Sequence, residues 1–249
     1  MKHAEISAET PRTFGSFLAG FSNEMFLIQE IDMNKSIRLV SLGALLAAAA
    51  FTSASYAAEE GSGFLGDYSA LKEVKDAAGD TVQRYVSPKL KPGTYQKVLI
   101  DHTQYYPAPK PSEQVSASTL TEISNYVDQG LRAKLGAKLA LATEPGPGVM
   151  RLRPAITTVA AQTPGLKPYQ MIPIAFIISS AAGRGKEAAI QIEVEMVDSM
   201  TGEVLAASVR KGIGAKLASD KAPLKLGDVK PLLDKWIDTG AAFVVERTK

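Results

Sequence analysis

The most regular alternation of apolar and polar residues in the chain lies within Glu187–Asp198. Successive side chains of a strand point to opposite faces, so this pattern predicts a β-strand with one apolar face. The apolar positions are Ile190, Ile192, Val194 and Met196, and the polar ones are Gln191, Glu193 and Glu195. Residues 199–202 predict a turn with a positive φ at Gly202, and residues 203–211 are expected to return as the second arm of a hairpin.

Three further stretches predict strands. Thr81–Val86 is a short one, and residues 94–106 form a longer run of β-forming residues that ends at Pro107. Residues 149–159 place Arg151 and Arg153 on the polar face of a third strand. Pro154 cannot donate to a neighbouring strand, so we expect a bulge or an edge position there.

Two amphipathic helices are indicated. Thr119 and Glu122 match a capping box, and an apolar stripe with spacings of three and four continues to about Leu141. Residues 144–148, with two prolines and two glycines, are expected to end this helix. A second helix is predicted near the C-terminus, with Asp228 near its start and an apolar stripe of Val229, Leu232, Leu233, Trp236, Ile237 and Val244.

The remaining apolar stretches are less regular. Residues 63–71 hold two glycines among Phe64, Leu65, Tyr68 and Leu71, and we expect an irregular plug over the edge of the core. Residues 171–180 are continuously apolar up to Ser179 and Ser180, which suits a buried strand or a helix, and we favour the helix. The elements together predict an α+β fold with a mixed, mostly antiparallel sheet and helices packed on one face.

The N-terminal region predicts export. Residues 34–38 carry two positive charges and precede an apolar, alanine-rich run of 13 residues at 39–51, and Ser55-Tyr56-Ala57 fits a small-x-small cleavage site. We therefore expect a signal peptide at 33–57, a cut after Ala57 and a single domain at 58–249. A retained anchor is the alternative, although a transmembrane helix needs about 20 apolar residues. Because a signal peptide starts near its methionine, residues 1–32 are interpreted as an extension outside the native protein, with the true start at Met33.

Composition narrows the possible chemistry. The chain has 249 residues, 45% of them hydrophobic and 22% charged, which is typical of globular proteins. It contains no cysteine, which excludes thiol nucleophiles, iron–sulfur clusters and cysteine-ligated zinc, and leaves no residue for lipid acylation after the signal peptide. A formal net charge of +2 gives no indication of nucleic acid as a partner.

Three sequence segments resemble one bacterial family. Residues 62–71, residues 145–153 (Pro-Gly-Pro-Gly-Val-Met-Arg-Leu-Arg) and residues 197–205 (Val-Asp-Ser-Met-Thr-Gly-Glu-Val-Leu) are together similar to the envelope family catalogued as domain of unknown function 3313. The resemblance covers nearly all of residues 58–249. It implies a cell-envelope protein of uncharacterised role, frequently a lipoprotein, and it brings no catalytic residues with it.

Candidate catalytic groups are few. His102, the one histidine of residues 58–249, follows Asp101 on a predicted strand, so the two side chains are expected on opposite faces and do not form a simple dyad. Residues 183–186 (Gly-Arg-Gly-Lys) resemble part of a phosphate loop, but Ser180 and Glu187 break the pattern, and we expect a solvated turn. We predict no metal, no cofactor and no catalytic residue.

Two pairs of like charges have two interpretations. Arg151 and Arg153 share one face of a strand, and Glu193 and Glu195 share one face of another. A cross-strand ladder of opposite charges is the interpretation that we favour. The alternative is that the two carboxylates are the acid and base of a hydrolase. Positive residues on the first helix are expected to form a solvated face; they are Arg132, Lys134 and Lys138.

The sequence therefore predicts a non-catalytic, periplasmic binding or accessory protein of the bacterial envelope. We expect it to contact another envelope protein through a sheet edge or an exposed helix face, without nucleic acid and without membrane insertion after cleavage. A carrier of a small molecule or lipid is the second hypothesis, based on the apolar residues 171–178. A hydrolase that uses carboxylate or histidine chemistry is the third, with Asp101, His102, Glu193 and Glu195 as its candidates.

Overall fold

A computed structural model describes residues 61–164 and 185–248, which all belong to the compact unit Tyr56–Lys249. It contains strands β1 (Lys72–Lys75), β2 (Thr81–Val86), β3 (Lys97–Ile100), β4 (Gln104–Tyr105), β5 (Ala140–Ala142), β6 (Val149–Gln162), β7 (Glu187–Asp198) and β8 (Val204–Lys216). Helix α1 (Ala117–Gly136) lies between β4 and β5, and α2 (Leu226–Thr248) follows β8. The predictions for residues 1–57 and 171–180 fall outside the described residues.

The eight strands form one mixed sheet in the order β1-β2-β8-β7-β6-β3-β5, with β4 also paired to β6. Five neighbouring strands pair antiparallel: β1, β2, β8, β7 and β6. The other pairings are parallel: β3 with β5, and both β3 and β4 with β6. This confirms the predicted mixed, mostly antiparallel sheet. The β7–β8 hairpin is also confirmed, with Gly202 at a φ of +73° in its turn.

Both helices pack on one face of the sheet and against each other. Alternate residues of β6 and β7, such as Leu152 and Ile190, join apolar residues of α1 and α2 in a single core. The helices approach closely where Gly130 faces Ile237, since a Cβ on that glycine would lie 2.6 Å from Ile237 Cδ1. The predicted α+β fold with helices on one face is confirmed, and the other face of the sheet is left for polar side chains.

Helix α1 differs from its prediction at both ends. Its N-cap is Ser116, whose side chain accepts a 3.1 Å hydrogen bond from the amide of Thr119. Thr119 is instead buried, and its hydroxyl donates to the carbonyl oxygen of Leu224. The helix ends at Gly136 rather than near Leu141 because residues 140–142 pair with β3 as a separate strand. Tertiary pairing therefore overrides the apolar stripe.

The strand predicted for residues 94–106 is interrupted. It divides into β3 and β4 around Asp101–Thr103, and the part before Lys97 is a loop. This interruption also explains Pro154, which is neither at an edge nor at a bulge. Pro154 lies between Leu152, whose carbonyl accepts from the Asp101 amide, and Ile156, whose carbonyl accepts from the Tyr106 amide. Its missing N–H thus faces the gap between β3 and β4, and the register shift comes later, between Ile156 and Thr158.

Candidate functional site

Charged residues lie on the sheet face opposite the helices, which we call the polar face. Arg153 of β6 and Glu195 of β7 are direct partners in the antiparallel register. Nη1 of Arg153 donates a 2.6 Å hydrogen bond to Oε2 of Glu195, and the Glu195 carboxylate is mostly buried. This rung of the predicted charge ladder is confirmed.

The prediction of a second ion pair in the ladder, between Arg151 and Glu193, is wrong. Arg151 lies opposite Val197, and Glu193 lies opposite Ala155, so the two side chains do not meet. Nε of Arg151 donates instead to both oxygens of Asp101, at 2.9 and 3.0 Å. The hydrogen bond to Asp101 raises the pKa of the Arg151 guanidinium.

Glu193 is fully buried, with 0% of its surface exposed. Its Oε2 accepts a 2.6 Å hydrogen bond from the hydroxyl of Tyr68, and its Oε1 accepts one of 2.8 Å from Nε2 of Gln191. Burial raises the pKa of the Tyr68 hydroxyl, and the hydrogen bond to Glu193 raises it further. A carboxylate that is covered and bonded on both oxygens is poorly placed to exchange a proton with a substrate.

Residues 61–71, which we call the cover segment, lie on the polar face. The segment is irregular, as predicted, but it does not cover the edge of the helix-side core. The hydroxyl of Tyr68 accepts hydrogen bonds from the amides of Gly63 and Leu65, at 3.0 and 3.2 Å, and so ties the segment to itself as well as to Glu193. The ring of Phe64 lies 5.9 Å from the guanidinium of Arg153 and 5.8 Å from the ring of Tyr106. The segment thereby covers the part of the polar face around Glu193 and Arg153.

A polar cleft of about 360 Å³ opens on this face. It is lined by Asp101, His102, Gln104, Arg151, Arg153, Pro154, Val197, Asp198, Ser199 and Gly202. It lies where the interruption between β3 and β4 meets the turn between β7 and β8. A cavity of this size is within the range of small-ligand sites and would also admit a side chain of a partner protein.

The histidine of the cleft is paired with a residue that the sequence analysis missed. The side chain of His102 is 70% exposed, and its Nδ1 contacts Oδ2 of Asp128 on α1. Oδ1 of Asp128 accepts a 2.7 Å hydrogen bond from the amide of Thr103, which fixes the carboxylate. Asp101 is turned to Arg151, so His102 and Asp101 do not form a dyad, as predicted. His102 lies between β3 and β4, whereas Asp128 lies in α1, so no local sequence pattern indicates that the two side chains meet.

The hydroxyl side chain of the cleft lining, Ser199, is already engaged in hydrogen bonds. Ser199 Oγ donates to the carbonyl of Gly146 and accepts from its amide, both at 3.1 Å. Ser199 is thus part of the loop structure rather than a nucleophile held by His102.

Asp198 forms the opposite wall of the cleft and is held by several donors. Hydrogen bonds from Thr201 and Met200 to its Oδ1, together with the Tyr95 hydroxyl at 2.9 Å from its Oδ2, keep the pKa of the carboxyl below its usual range. Burial and the hydrogen bond to Asp198 together raise the pKa of Tyr95 to about 12. The charge of Asp198 is therefore fixed as negative at physiological pH.

The remaining candidates have structural contacts. Arg132 donates to the carbonyl of Ile100 at 2.7 Å, and Lys134 pairs with Asp238 at 2.7 Å; both are exposed on α1, as predicted for a solvated face. Lys138 is also exposed, but it lies in the turn after the end of α1 at Gly136. Lys186 Nζ donates to Oε1 of Gln114 at 2.9 Å, while residues 183 and 184 lie outside the described residues. Within residues 61–164 and 185–248, no three His, Asp or Glu side chains are grouped closely enough to hold a metal ion. The helices of that part are all too short or too polar to cross a membrane.

Comparison with known proteins gives a family match over nearly the whole described region. The model of the protein family of unknown function DUF3313 matches residues 60–239. The chain is 30% identical over 214 residues to the uncharacterized lipoprotein YdcL of Escherichia coli K12, and the match covers 84% of this chain and 96% of that protein. The same protein of Escherichia coli O157:H7 matches to the same extent.

Solved structures show a more distant similarity. A PelC dodecamer from Paraburkholderia phytofirmans is 14% identical, with a TM-score of 0.36, and the match covers 64% of this chain and 98% of that one. A minor lipoprotein from Acinetobacter baumannii is 14% identical, with a TM-score of 0.27, and the match covers 61% of this chain and 91% of that one.

Proposed function

The chain belongs to the protein family of unknown function DUF3313, and we propose that it is an exported, non-catalytic binding protein of the bacterial cell envelope. The observation that carries the proposal is the polar cleft, in which each of the four charged side chains that the sequence analysis considered for chemistry or pairing (Asp101, His102, Arg151, Arg153) has a partner. Such a network presents a fixed pattern of donors and acceptors, which favours recognition over reaction.

Export is supported by two facts from different sources. The sequence has the pattern of a signal peptide at 33–57, and the related Escherichia coli protein is named a lipoprotein. This chain has no cysteine to carry a lipid, so we propose that it is released into the periplasm after a cut following Ala57.

The cleft is the binding surface that we favour over the edges of the sheet. Edge strand β1 has four exposed residues and carries Lys72 and Lys75, a composition that discourages pairing with another strand. The other edge strand, β5, has only three residues. The cleft instead offers two arginines and Asp198 to a polar partner.

The other two hypotheses gain less support. Glu193 is covered by Tyr68, and Glu195 is bonded to Arg153, so the pair that would act in a hydrolase is already occupied. The lipid-carrier hypothesis depends on residues 171–178, which lie outside the described residues, and it stays a prediction.

Fractionation tests export first. A C-terminally tagged full chain should be released from cells by osmotic shock without detergent, and its intact mass should correspond to residues 58–249. Retention in the membrane pellet would contradict a released protein, and an uncut mass would contradict the signal peptide.

Site-directed photocross-linking in intact cells then tests the cleft. A photoreactive amino acid at the position of Gln104, which is exposed in the cleft, should give a discrete adduct. The matched control is the same amino acid at the position of Glu122, which is exposed on α1. The adduct from position 104 should weaken when Arg151→Ala is added. Equal adducts from both positions, or none from position 104, would contradict binding through the cleft.

A further inference from the structure

A second cavity lies on the helix side of the sheet, among β2, β8 and α2. Its volume is about 40 Å³, enough for a ligand of a few heavy atoms but not for a sugar or nucleotide. Its polar lining consists of Arg84, Ser208 and Arg210, and Gly240 and Phe243 of α2 form the opposite wall. We call it the arginine pocket. The rest of its lining is apolar and includes Leu131, Leu152, Val194 and Met196.

Arg210 is buried on the core side of the sheet. It lies opposite Ile192 in the β7–β8 register, and only 7% of its surface is exposed. Nη1 donates a 2.6 Å hydrogen bond to Oδ2 of Asp76. Nη2 is also buried, and within residues 61–164 and 185–248 it has no hydrogen-bond partner. A buried guanidinium donor without an acceptor lowers the stability of the folded chain. An acceptor or a negative charge close to Arg210 would therefore be stabilising.

Two more arginines, Arg84 and Arg247, lie next to Phe243 of α2. The guanidinium carbon of Arg84 lies 4.1 Å from the ring centre of Phe243, and that of Arg247 lies 5.3 Å from it. Nε of Arg247 is likewise buried without a partner in the described part of the chain. Burial lowers the pKa of Arg84, and the neighbouring charge of Arg210 lowers it further.

Negative charge near the pocket is insufficient to balance these groups. The Asp76 carboxylate already accepts from Arg210 and from the amides of Ala78 and Asp80. The Glu246 carboxylate is 71% exposed and 3.8 Å from Arg247. Three guanidinium groups thus share one buried carboxylate, and an anion would relieve their repulsion.

The shape of the pocket indicates what kind of anion fits. Arginines pair well with carboxylates, which accept two hydrogen bonds in a plane. Inorganic phosphate would place charged oxygens against the apolar wall, which is unfavourable. We propose that the arginine pocket binds a short-chain carboxylate, whose oxygens accept from the guanidinium groups of Arg84 and Arg210 while its carbon chain contacts the apolar wall.

Titration of the purified full chain with sodium butyrate tests the proposal. Calorimetry should show saturable binding that sodium chloride and sodium phosphate at the same ionic strength do not reproduce. Octanoate should bind no more tightly than butyrate, because the cavity is small. Heat no larger than with chloride, equal binding of phosphate, or tighter binding of octanoate would each overturn a short-chain carboxylate site.

Filling the pocket gives a test that leaves the arginines in place. A Cβ on Gly240 would have no atom within 4 Å, and Gly240 lines the pocket, so the side chain of Gly240→Leu should enter the pocket. The matched control is Gly227→Leu, because Gly227 is also in α2 with open space around its Cβ but lies outside the pocket. Gly240→Leu should abolish butyrate binding while the chain stays folded by circular dichroism, and Gly227→Leu should bind as the wild type does. Undiminished binding by Gly240→Leu would overturn the proposal.

Removing one charge tests the role of arginine. Arg84→Gln should weaken butyrate binding about tenfold or more. The control Lys216→Gln removes one positive charge from an exposed position at the end of β8 and should leave the affinity unchanged. Equal weakening by both variants would mean that only the net charge of the protein matters, and the assigned site would be wrong.

Discussion

The hydroxyl of Tyr68 donates a hydrogen bond of 2.6 Å to Oε2 of Glu193, which joins the irregular cover segment to the centre of the sheet. The two residues are 125 positions apart in the chain. Since Glu193 is fully buried, this bond replaces water as a donor to its carboxylate. The contact explains how a glycine-containing segment without regular secondary structure is held on the polar face.

Tyr68→Phe should lower the free energy of unfolding by about 1–3 kcal/mol, because it leaves a buried carboxylate oxygen without its donor. Urea unfolding followed by circular dichroism measures the change. The control is Tyr85→Phe, which removes a hydroxyl from a partly buried tyrosine of β2, and its effect should be small. Adding Glu193→Gln to Tyr68→Phe should recover part of the loss. Equal effects of the two tyrosine variants would contradict the bond.

Arg153 and Glu195 provide a prediction about coupling. A double-mutant cycle with Arg153→Ala and Glu195→Ala should give a coupling energy of about 0.2–1 kcal/mol, the range for opposite charges directly across two strands. Arg153→Ala alone should be more destabilising than the double variant because it leaves Glu195, which is 7% exposed, without its cation. The exposed pair Lys230–Asp234 on α2 is a control and should show weaker coupling. Zero coupling for Arg153 and Glu195 would mean that their geometry contributes nothing to stability.

The Asp76–Arg210 pair makes stability dependent on acid. Burial alone would raise the pKa of Asp76, but hydrogen bonds from Arg210 and from the amides of Asp80 and Ala78 hold it at about 2. A carboxyl whose pKa is lower in the folded chain stabilises it above the unfolded value, near pH 4, and loses that contribution as the pH falls toward 2. The loss should be about 2 kcal/mol.

Asp76→Asn should therefore be less stable at pH 7 and should lose less stability than the wild type between pH 4 and pH 2. Chemical unfolding at a series of pH values measures both effects. Asp80→Asn serves as the control, since Asp80 pairs with Lys235 through partly exposed side chains. A wild-type stability that falls no more steeply than that of Asp76→Asn in this range would show that the Asp76 pKa is not lowered.

Local patterns predicted the elements well because they depend on neighbouring residues. The alternation of Glu187–Asp198 fixed the apolar and polar faces of β7 with the bounds that the structure shows. The stripe of α1 was recognised, but Ser116 and Thr119 both fit a cap, and the choice depends on Thr119 being buried against residue 224. A short-range pattern contains no information about that contact.

The candidate site was less predictable because it depends on register and tertiary contacts. Which carboxylate faces Arg151 is decided by the pairing of β6 with β7 and by the position of Asp101, neither of which can be read from charge spacing. His102 meets Asp128 only because α1 packs over the end of β3. The arginine pocket likewise collects residues from β2, β8 and α2 that are far apart in the sequence.

Two glycines of β8 determine how closely α2 approaches the sheet. A Cβ on Gly214 would lie 2.1 Å from the carbonyl oxygen of Asp228, and one on Gly212 would lie 2.7 Å from the ring of Trp236. The first contact is with backbone at the start of α2, which cannot move without shifting the helix. These glycines are therefore needed for close packing.

Gly214→Ala should lower the free energy of unfolding by about 1–3 kcal/mol or more, because the added methyl group forces α2 away from β8. Gly227→Ala is the control in α2 itself, where a Cβ has open space, and it should be neutral or stabilising by up to about 1 kcal/mol through helix propensity. Thermal unfolding of the two variants measures the difference. Equal stability of Gly214→Ala and Gly227→Ala would show that the distance from a Cβ at position 214 to the Asp228 carbonyl oxygen is larger than 2.1 Å. β8 and α2 would then be farther apart than described, and the arginine pocket between them would be wider.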